Sequence, residues 1–284
     1  MSKVKCIDNK WKVVEQFGRG GQGQVYKVNR IGGDASIYAL KFLNKQNDID
    51  RRYRMHAEVE NVCKLENAHL VKIIDSNSIH YADLSEKLYY VAEFIEGCTL
   101  EEYVNNNDVS FEEAKRFFIA FLDTLSYCHS NGIIHRDIKP ENIMLKKGVL
   151  DDFVLIDFGL SFNLEGQDRI TMTNQQLGNR FLILPELVGG TAKQKQQVES
   201  DCAQACGVFF YVLTGLIPNS LLDGEGKAPH RREKAIDVLK DRITDDVIYR
   251  NLNSLFDKAF ANNIEDRYHS AAEIKKEMMT ISEC

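Results

Sequence analysis

No run of about 18 apolar residues occurs anywhere in the 284-residue chain, which leaves no candidate for a membrane-spanning helix. The opening Met1-Ser2-Lys3-Val4-Lys5-Cys6 has no apolar core of a signal peptide, so the expectation is a cytoplasmic protein with no membrane partner. Positive charge is in deficit. A net charge of -6 gives no general attraction to nucleic acid or to an anionic lipid surface, leaving only local basic patches such as Lys3 to Lys12, and nucleic acid is not expected as a partner. The seven cysteines (Cys6, Cys63, Cys98, Cys128, Cys202, Cys206 and Cys284) are odd in number and include no Cys-x-x-Cys pair or histidines at zinc spacing. They read as reduced thiols serving as small buried hydrophobes, Cys202 and Cys206 included. Internal repeats and low-complexity linkers are also missing. What remains is a chain with 44% hydrophobic residues, enough for one or two ordinary cores in a soluble globular protein.

The patterning changes once along the chain. From Trp11 to about Leu43 it is β-like: Lys12-Val13-Val14-Glu15, a glycine cluster, Gln24 to Val28, then Ile37 to Lys41. A helix is predicted over Ile49 to Leu65, where Met55, Val59 and Val62 share a face, and strands at Lys72 to Ile74 and Tyr89 to Ala92. After Gly97 the signals are helical. Ser110 with Glu113 makes a capping box ahead of the stripe Phe118, Phe121, Leu122 and Leu125. Further helices are predicted near Asp201 to Leu213, Ala235 to Lys240, Val247 to Phe260 and Ser270 to Thr280, with a surface loop over Asp223 to Pro229.

The stretch from His135 to Asn142, His-Arg-Asp-Ile-Lys-Pro-Glu-Asn, packs a carboxylate, a cation and an amide oxygen into one short loop, and Asp157-Phe158-Gly159 follows an apolar strand. Asp137 can accept the proton of an attacking hydroxyl, and Lys139 can neutralise charge growing on a phosphoryl group. Asn142 and Asp157 supply the hard oxygen ligands that Mg²⁺ favours, with Mn²⁺ as the alternative metal. Upstream, Gly18-Arg19-Gly20-Gly21-Gln22-Gly23-Gln24-Val25 matches G-x-G-x-x-G-x-V between two strands, where Gly18, Gly20 and Gly23 would let backbone N–H groups approach phosphates. A dinucleotide fingerprint would lie between a strand and a helix, and no Gly-Lys-Ser/Thr of a Walker loop is present. Lys41 ends the strand after that loop, where it could reach the α- and β-phosphates of ATP. At about 100° per residue, Glu58 lies about 40° from Val62 at the border of the apolar stripe while Glu60 points away, so Glu58 is the better partner for Lys41. The implied chemistry is phosphoryl transfer from ATP.

With these residues in place, the chain resembles a eukaryotic-like protein kinase of the serine/threonine type from about Trp11 to Met279, and the glycine-loop wording is particularly similar to bacterial members. The resemblance implies an α+β, bilobal protein-kinase-like fold: an N-terminal extension over 1–10, a small β-rich N-lobe with one main helix over 11–96, and a larger helical C-lobe over 97–284, with the kinase domain at 11–279. It implies that Lys41 and Glu58 form the strand-to-helix ion pair, that Asp137 is the catalytic base, and that Asn142 and Asp157 hold the metal. Glu93 and Ile95 would meet adenine through their backbone, enclosed by Phe17, Val25, Ala39 and Met144. Ala92, just before them, is an unusually small residue for that position. Glu186 would pair with Arg267, and Asp201 would brace the backbone of the catalytic loop.

The departures fall in the segment before Pro185-Glu186. Asn179 stands where the family's serine/threonine type has threonine, although Lys139 is itself of that type. The expected activity is therefore transfer of the ATP γ-phosphoryl group to a protein serine or threonine. A tyrosine or dual-specificity kinase, and a nucleotide-binding pseudokinase acting as an interaction module, are the alternatives. Arg136 beside Asp137 suggests autophosphorylation of the activation segment, with Thr171 and Thr173 as first acceptors and Ser161 behind them, through transient self-association.

Overall fold

Strand-forming residues at the start of the chain and helix-forming ones after Gly97 separate into two units: Met1–Glu96 with Ile156–Leu160, and Gly97–Leu155 with Ser161–Cys284. The computed structural model describes residues 6–19, 23–33, 35–159, 161–163, 180–191 and 193–281. Gly20, Gly21, Gln22, Thr171, Thr173, Gly178, Asn179 and Cys284 lie outside the described residues, as do the side chains of Phe17 and Arg19.

The first unit is a six-stranded sheet of β1 (Cys6–Ile7), β2 (Trp11–Arg19), β3 (Gly23–Arg30), β4 (Ile37–Leu43), β5 (Ile73–Ser76) and β6 (Tyr89–Glu93), in the order β1-β2-β3-β4-β6-β5. Every neighbouring pair is antiparallel. The two-residue period of a strand sorts β6 cleanly. Tyr89 and Val91 join Trp11, Tyr26, Val28 and Leu40 in one core cluster, while Tyr90 and Ala92 join Leu43, Met55, Val59 and Leu88 in another. A one-residue slip would exchange the two sets, so burial on both faces fixes the register. Polar tips inside the first cluster are paired: Trp11 Nε1 donates to Asp75 at 2.9 Å, and Tyr89 Oη donates to Asp8 at 2.9 Å.

Helix α1 (Ile49–Cys63) starts where the Asp48 side chain accepts from Arg51 N at 3.1 Å, and it lays Met55 and Val59 on the sheet. Its apolar stripe does not account for Arg52, which is fully buried. The guanidinium donates to the carbonyls of Tyr81 at 2.6 Å, Glu86 at 2.8 Å, His80 at 2.9 Å and Gln46 at 3.1 Å, and also to that of Asp83. A fixed planar fork can satisfy several carbonyls at once, which ties α1 to the 80–86 loop without a carboxylate.

In the second unit β7 (Gly97–Thr99) leads into α2 (Leu100–Asn106), a helix the apolar periodicity did not reveal. Thr99 and Glu102 form its capping box. Gly97 is required by close approach, since a Cβ there would sit 1.8 Å from the Leu145 carbonyl oxygen. Helix α3 (Phe111–Ser130) begins at the Ser110–Glu113 capping box and buries Phe117, Phe118, Phe121, Leu122 and Leu125. Strand β8 (Ile133–Ile134), then β9 (Ile143–Lys146) and β10 (Phe153–Leu155), frame the loop between them, and β9 pairs with both β7 and β10. After β11 (Phe162–Asn163) and β12 (Leu182–Ile183) comes α4 (Pro185–Gly189), with Pro185 in the first turn, where its missing N–H is harmless.

Helix α5 (Val198–Thr214) is buried on every side from Ser200 to Thr214, as expected of a central helix rather than an amphipathic one. Phe209 stacks on Phe118 at 4.4 Å between ring centroids. The helix ends on Gly215 in the left-handed region (φ 68°), whose N–H closes on the Tyr211 carbonyl at 2.7 Å. Strand β13 (Asn219–Ser220) pairs with β12, and α6 (Glu233–Arg242), α7 (Asp246–Ala259) and α8 (Ala271–Thr280) complete the unit. Lys275 on α8 reaches Asp123 on α3 at 2.6 Å. Among the described residues no helix is long and apolar enough to cross a membrane. The cysteine expectation needs correction: Cys128, Cys202 and Cys206 are buried, but Cys6 and Cys63 are exposed. Cys6 lies on the edge strand β1, and Cys63 is the last residue of α1.

Candidate functional site

Two groups of polar side chains stand out, one in each unit. In the first, Lys41 of β4 lies across from Tyr90 of β6 on one side and Val25 of β3 on the other. Its Nζ is 3.2 Å from Glu58 Oε1 and 3.0 Å from Asp157 Oδ1. Glu58 comes from the buried face of α1, whereas Glu60 is exposed. Asp157 belongs to the Ile156–Leu160 segment counted with this unit and has φ 61°, with its carboxylate also accepting from Gly159 N at 3.3 Å. Burial alone would lower the Lys41 pKa, but the Asp157 and Glu58 carboxylates and Tyr90 outweigh it and hold the ammonium well above its ordinary range. Burial lifts the Glu58 carboxyl, and Lys41 offsets part of that rise.

The other residues expected of this unit fall as follows. Gly18 is in β2 and Gly23 opens β3, where a Cβ would meet the Phe42 carbonyl oxygen at 2.8 Å, so the sheet itself demands glycine at 23. Ala39 lies across from Ala92 in the β4–β6 ladder. Glu93 donates its N–H to the Lys72 carbonyl at 3.0 Å, and Ile95 follows the end of β6 half-buried.

In the second unit the residues between β8 and β9 form a loop held from beneath by α5. Asp201, fully buried, accepts from Arg136 N at 2.8 Å through Oδ1 and from His135 N at 2.8 Å through Oδ2. His129, in the last turn of α3, adds its Nε2 at 2.9 Å. Burial alone would raise the Asp201 carboxyl, but the hydrogen bond and charge of His129, with His135, hold it below its ordinary value. One turn along α5, Gln204 Oε1 accepts from Ile138 N at 3.0 Å. These bonds fix a backbone that bends through Arg136 at φ 64°, a left-handed conformation unfavourable for an arginine.

On that loop Lys139 Nζ lies 2.9 Å from Asp137 Oδ2. Asn142 Nδ2 donates to the Asp137 carbonyl at 2.8 Å and to its Oδ2 at 3.1 Å. A buried carboxylate with a cation and an amide beside it can take up a hydroxyl proton and balance added negative charge. Met144 follows on β9, half-buried, paired with Val154. Arg136 Nη2 donates to the Ser161 carbonyl at 3.3 Å. Glu186 at the start of α4 and Arg267 form a buried double contact at 2.6 and 3.2 Å, and Ser200 Oγ donates to the same carboxylate at 2.8 Å.

Several members of these groups escape sequence reasoning. His129 and Ser200 carry no local signal. Gln204 stands three residues after Asp201 and so shares its helix face, which is a usable signal once Asp201 is suspected. Tyr90 lies in an apolar strand and reads as core.

A lysine thus stands between two carboxylates in the strand-rich unit, and an Asp-Lys-Asn cluster sits on a braced loop in the helical one. Residues 11–279 match the family described as protein kinase domain, and the chain belongs to that family. Its α+β architecture is the bilobal type of that family. It is 27% identical over 283 residues to the probable serine/threonine-protein kinase PknB of Lactococcus lactis subsp. lactis (strain IL1403), covering 97% of this chain and 42% of that protein. It is 28% identical over 285 residues to the serine/threonine-protein kinase PrkC of Bacillus subtilis (strain 168), covering 97% and 41%. With the CBL-interacting serine/threonine-protein kinase 20 of Arabidopsis thaliana the identity is 26% over 250 residues, covering 83% and 54%. The chain therefore spans about two fifths of the length of these bacterial relatives.

Family membership implies use of ATP and a divalent metal ion. Taken separately, Asp157 carries a carboxylate, and Asn142 turns both N–H bonds of its amide toward Asp137, which directs its carbonyl oxygen elsewhere; each is the hard oxygen type that such an ion takes.

Proposed function

We propose that the chain is an ATP-dependent serine/threonine protein kinase, with a single kinase domain over 11–279 made of an N-lobe at 11–96 and a C-lobe at 97–284. The observation that carries the reading is the Asp137 carboxylate, 2.9 Å from Lys139 Nζ and 3.1 Å from Asn142 Nδ2 on a loop that Asp201 braces. Asp137 accepts the proton of the acceptor hydroxyl, and Lys139 balances the charge of the transferring phosphoryl group. Lys41, kept charged by Glu58 and Asp157, binds the α- and β-phosphates. Backbone N–H groups of the Gly18, Gly20 and Gly23 loop add to that binding, and Phe17, Val25, Ala39, Glu93, Ile95 and Met144 receive the adenine. Asn142 and Asp157 would hold Mg²⁺, which supplies charge neutralisation between the phosphates. Serine or threonine as acceptor is supported by Lys139 and by the names of the relatives. Thr171 and Thr173 are the proposed autophosphorylation sites, and the cytoplasm the proposed location.

Incorporation of radiolabelled phosphate into protein substrates tests the reading. The wild type should label serine or threonine, and Asp137→Ala should lower the rate by about three orders of magnitude or more, as expected when a positioned base is lost together with its cluster. Absence of labelling by the wild type in the presence of Mg²⁺ and ATP would overturn it.

A further inference from the structure

Tyr90 is the one member of the Lys41 group with no role in the chemistry proposed above. It lies in β6 directly across from Lys41, is 8% exposed as a residue, and shares a face of the sheet with Ala92. Its hydroxyl donates to Glu58 Oε1 at 2.8 Å. The same oxygen is the one 3.2 Å from Lys41 Nζ, and Lys41 Nζ lies 5.4 Å from the Tyr90 ring centroid. The phenol therefore touches both members of the ion pair, one by a charge-assisted hydrogen bond and the other through its ring face.

We propose that Tyr90 is a positioning residue that holds Glu58 turned toward Lys41, so that the ion pair stands assembled before nucleotide binds. Glu58 is carried by α1 and Lys41 by β4, and a carboxylate that only met an ammonium could swing with the helix. A second bond from β6, a strand hydrogen-bonded to β4, ties the carboxylate to the same rigid ladder that carries the lysine. The next side chain on that face of β6, Ala92, ends at Cβ and belongs to the same buried cluster as the Tyr90 ring. The proposal deepens the kinase reading, since it assigns a further residue to the same ion pair.

The bland account is that a buried tyrosine needs some acceptor for its hydroxyl and Glu58 is the nearest. The two differ in what happens to Lys41 when the hydroxyl alone is removed. In nucleotide-free protein, acylation of individual lysines by acetic anhydride, followed by mass spectrometry, reports how firmly each ammonium is held. In Tyr90→Phe the rate at Lys41 should rise about threefold to tenfold, with other lysines unchanged as internal controls. Introducing Glu58→Gln should raise the rate as well, and the double variant should exceed Glu58→Gln alone by less than twofold, because both changes release one contact. Wild-type labelling of Lys41 in Tyr90→Phe, or full additivity with Glu58→Gln, would overturn the proposal. Neither measurement uses phosphoryl transfer. Failure of the kinase reading would show in the radiolabel assay alone. In an active protein, Tyr90→Phe should also raise KM for ATP by at least threefold with the thermal midpoint lowered by less than about 4 °C, a split that a purely structural loss would reverse.

Discussion

Replacing Asp201 by asparagine keeps the size of the side chain and removes its charge, which makes it a sharp test of how the catalytic loop is held. One carboxylate oxygen accepts from Arg136 N at 2.8 Å, and the other accepts from His135 N at 2.8 Å with His129 Nε2 at 2.9 Å. In Asp201→Asn one of these oxygens becomes an NH₂ group facing an N–H donor. A charge-assisted bond contributes about 1.5–3 kcal/mol, and a buried donor left without a partner costs about 1–3 kcal/mol, so the loop loses about 3–5 kcal/mol. The left-handed Arg136 backbone, φ 64°, is the first feature to relax once those bonds go, because its own preference opposes the observed bend. The expected outcome is a matching loss of stability in urea and a fall in kcat of about a hundredfold or more. Peptide phosphorylation kinetics alongside urea denaturation would measure both. Wild-type kcat and an unchanged urea midpoint in Asp201→Asn would refute the reasoning. The same carboxylate contributes to acid sensitivity. Its folded pKa lies below the unfolded one, so its contribution is complete above about pH 4 and disappears as pH falls through the folded value.

Two further outcomes concern stability. Arg267→Ala leaves the buried Glu186 carboxylate without its cation, with Ser200 Oγ still donating to it, and should cost about 3–5 kcal/mol, or roughly 10 °C in thermal midpoint, while Glu186→Leu with Arg267→Met should recover more than half of it; equal losses in single and double variants would count against the pair. His230 is fully buried against Phe256 and Phe260, and that burial pushes its pKa down to about 4 despite Asp257 at 2.9 Å. The unfolded chain binds a proton there first as pH falls below about 6.5. Stability present above that pH is lost between about 6.5 and 4, on the order of 3 kcal/mol, and His230→Gln should flatten that part of the urea-midpoint profile; an unaltered slope would exclude the histidine as its source.

How far the sequence could be read depended on distance along the chain. The capping box at Ser110 and Glu113, the stripe of α3, and the strand pattern through Lys41 are local, and each is legible because a few neighbouring side chains settle it. The choice of Glu58 over Glu60 beside Lys41 followed from helical period alone, since residues two apart on a helix point to different faces. Helix α2 has no apolar stripe to announce it, because Leu100 is the buried residue among its seven, and the Thr99–Glu102 capping box is its one local signal. Arg52 ran against the apolar stripe of α1, and nothing local announces that the 80–86 loop returns to offer it carbonyl oxygens.

By itself the sequence determined the α+β architecture, the family and the short-range chemistry of His135 to Asn142, where Asp137, Lys139 and Asn142 lie close enough in the chain that any compact loop groups them. Tertiary structure alone decided what holds those groups still. Asp201 and Gln204 reach the loop from 65 and 66 residues away, and Tyr90 reaches Glu58 from 32. Such pairings depend on which helix face meets which strand, a result of packing the whole core that no local run of residues encodes.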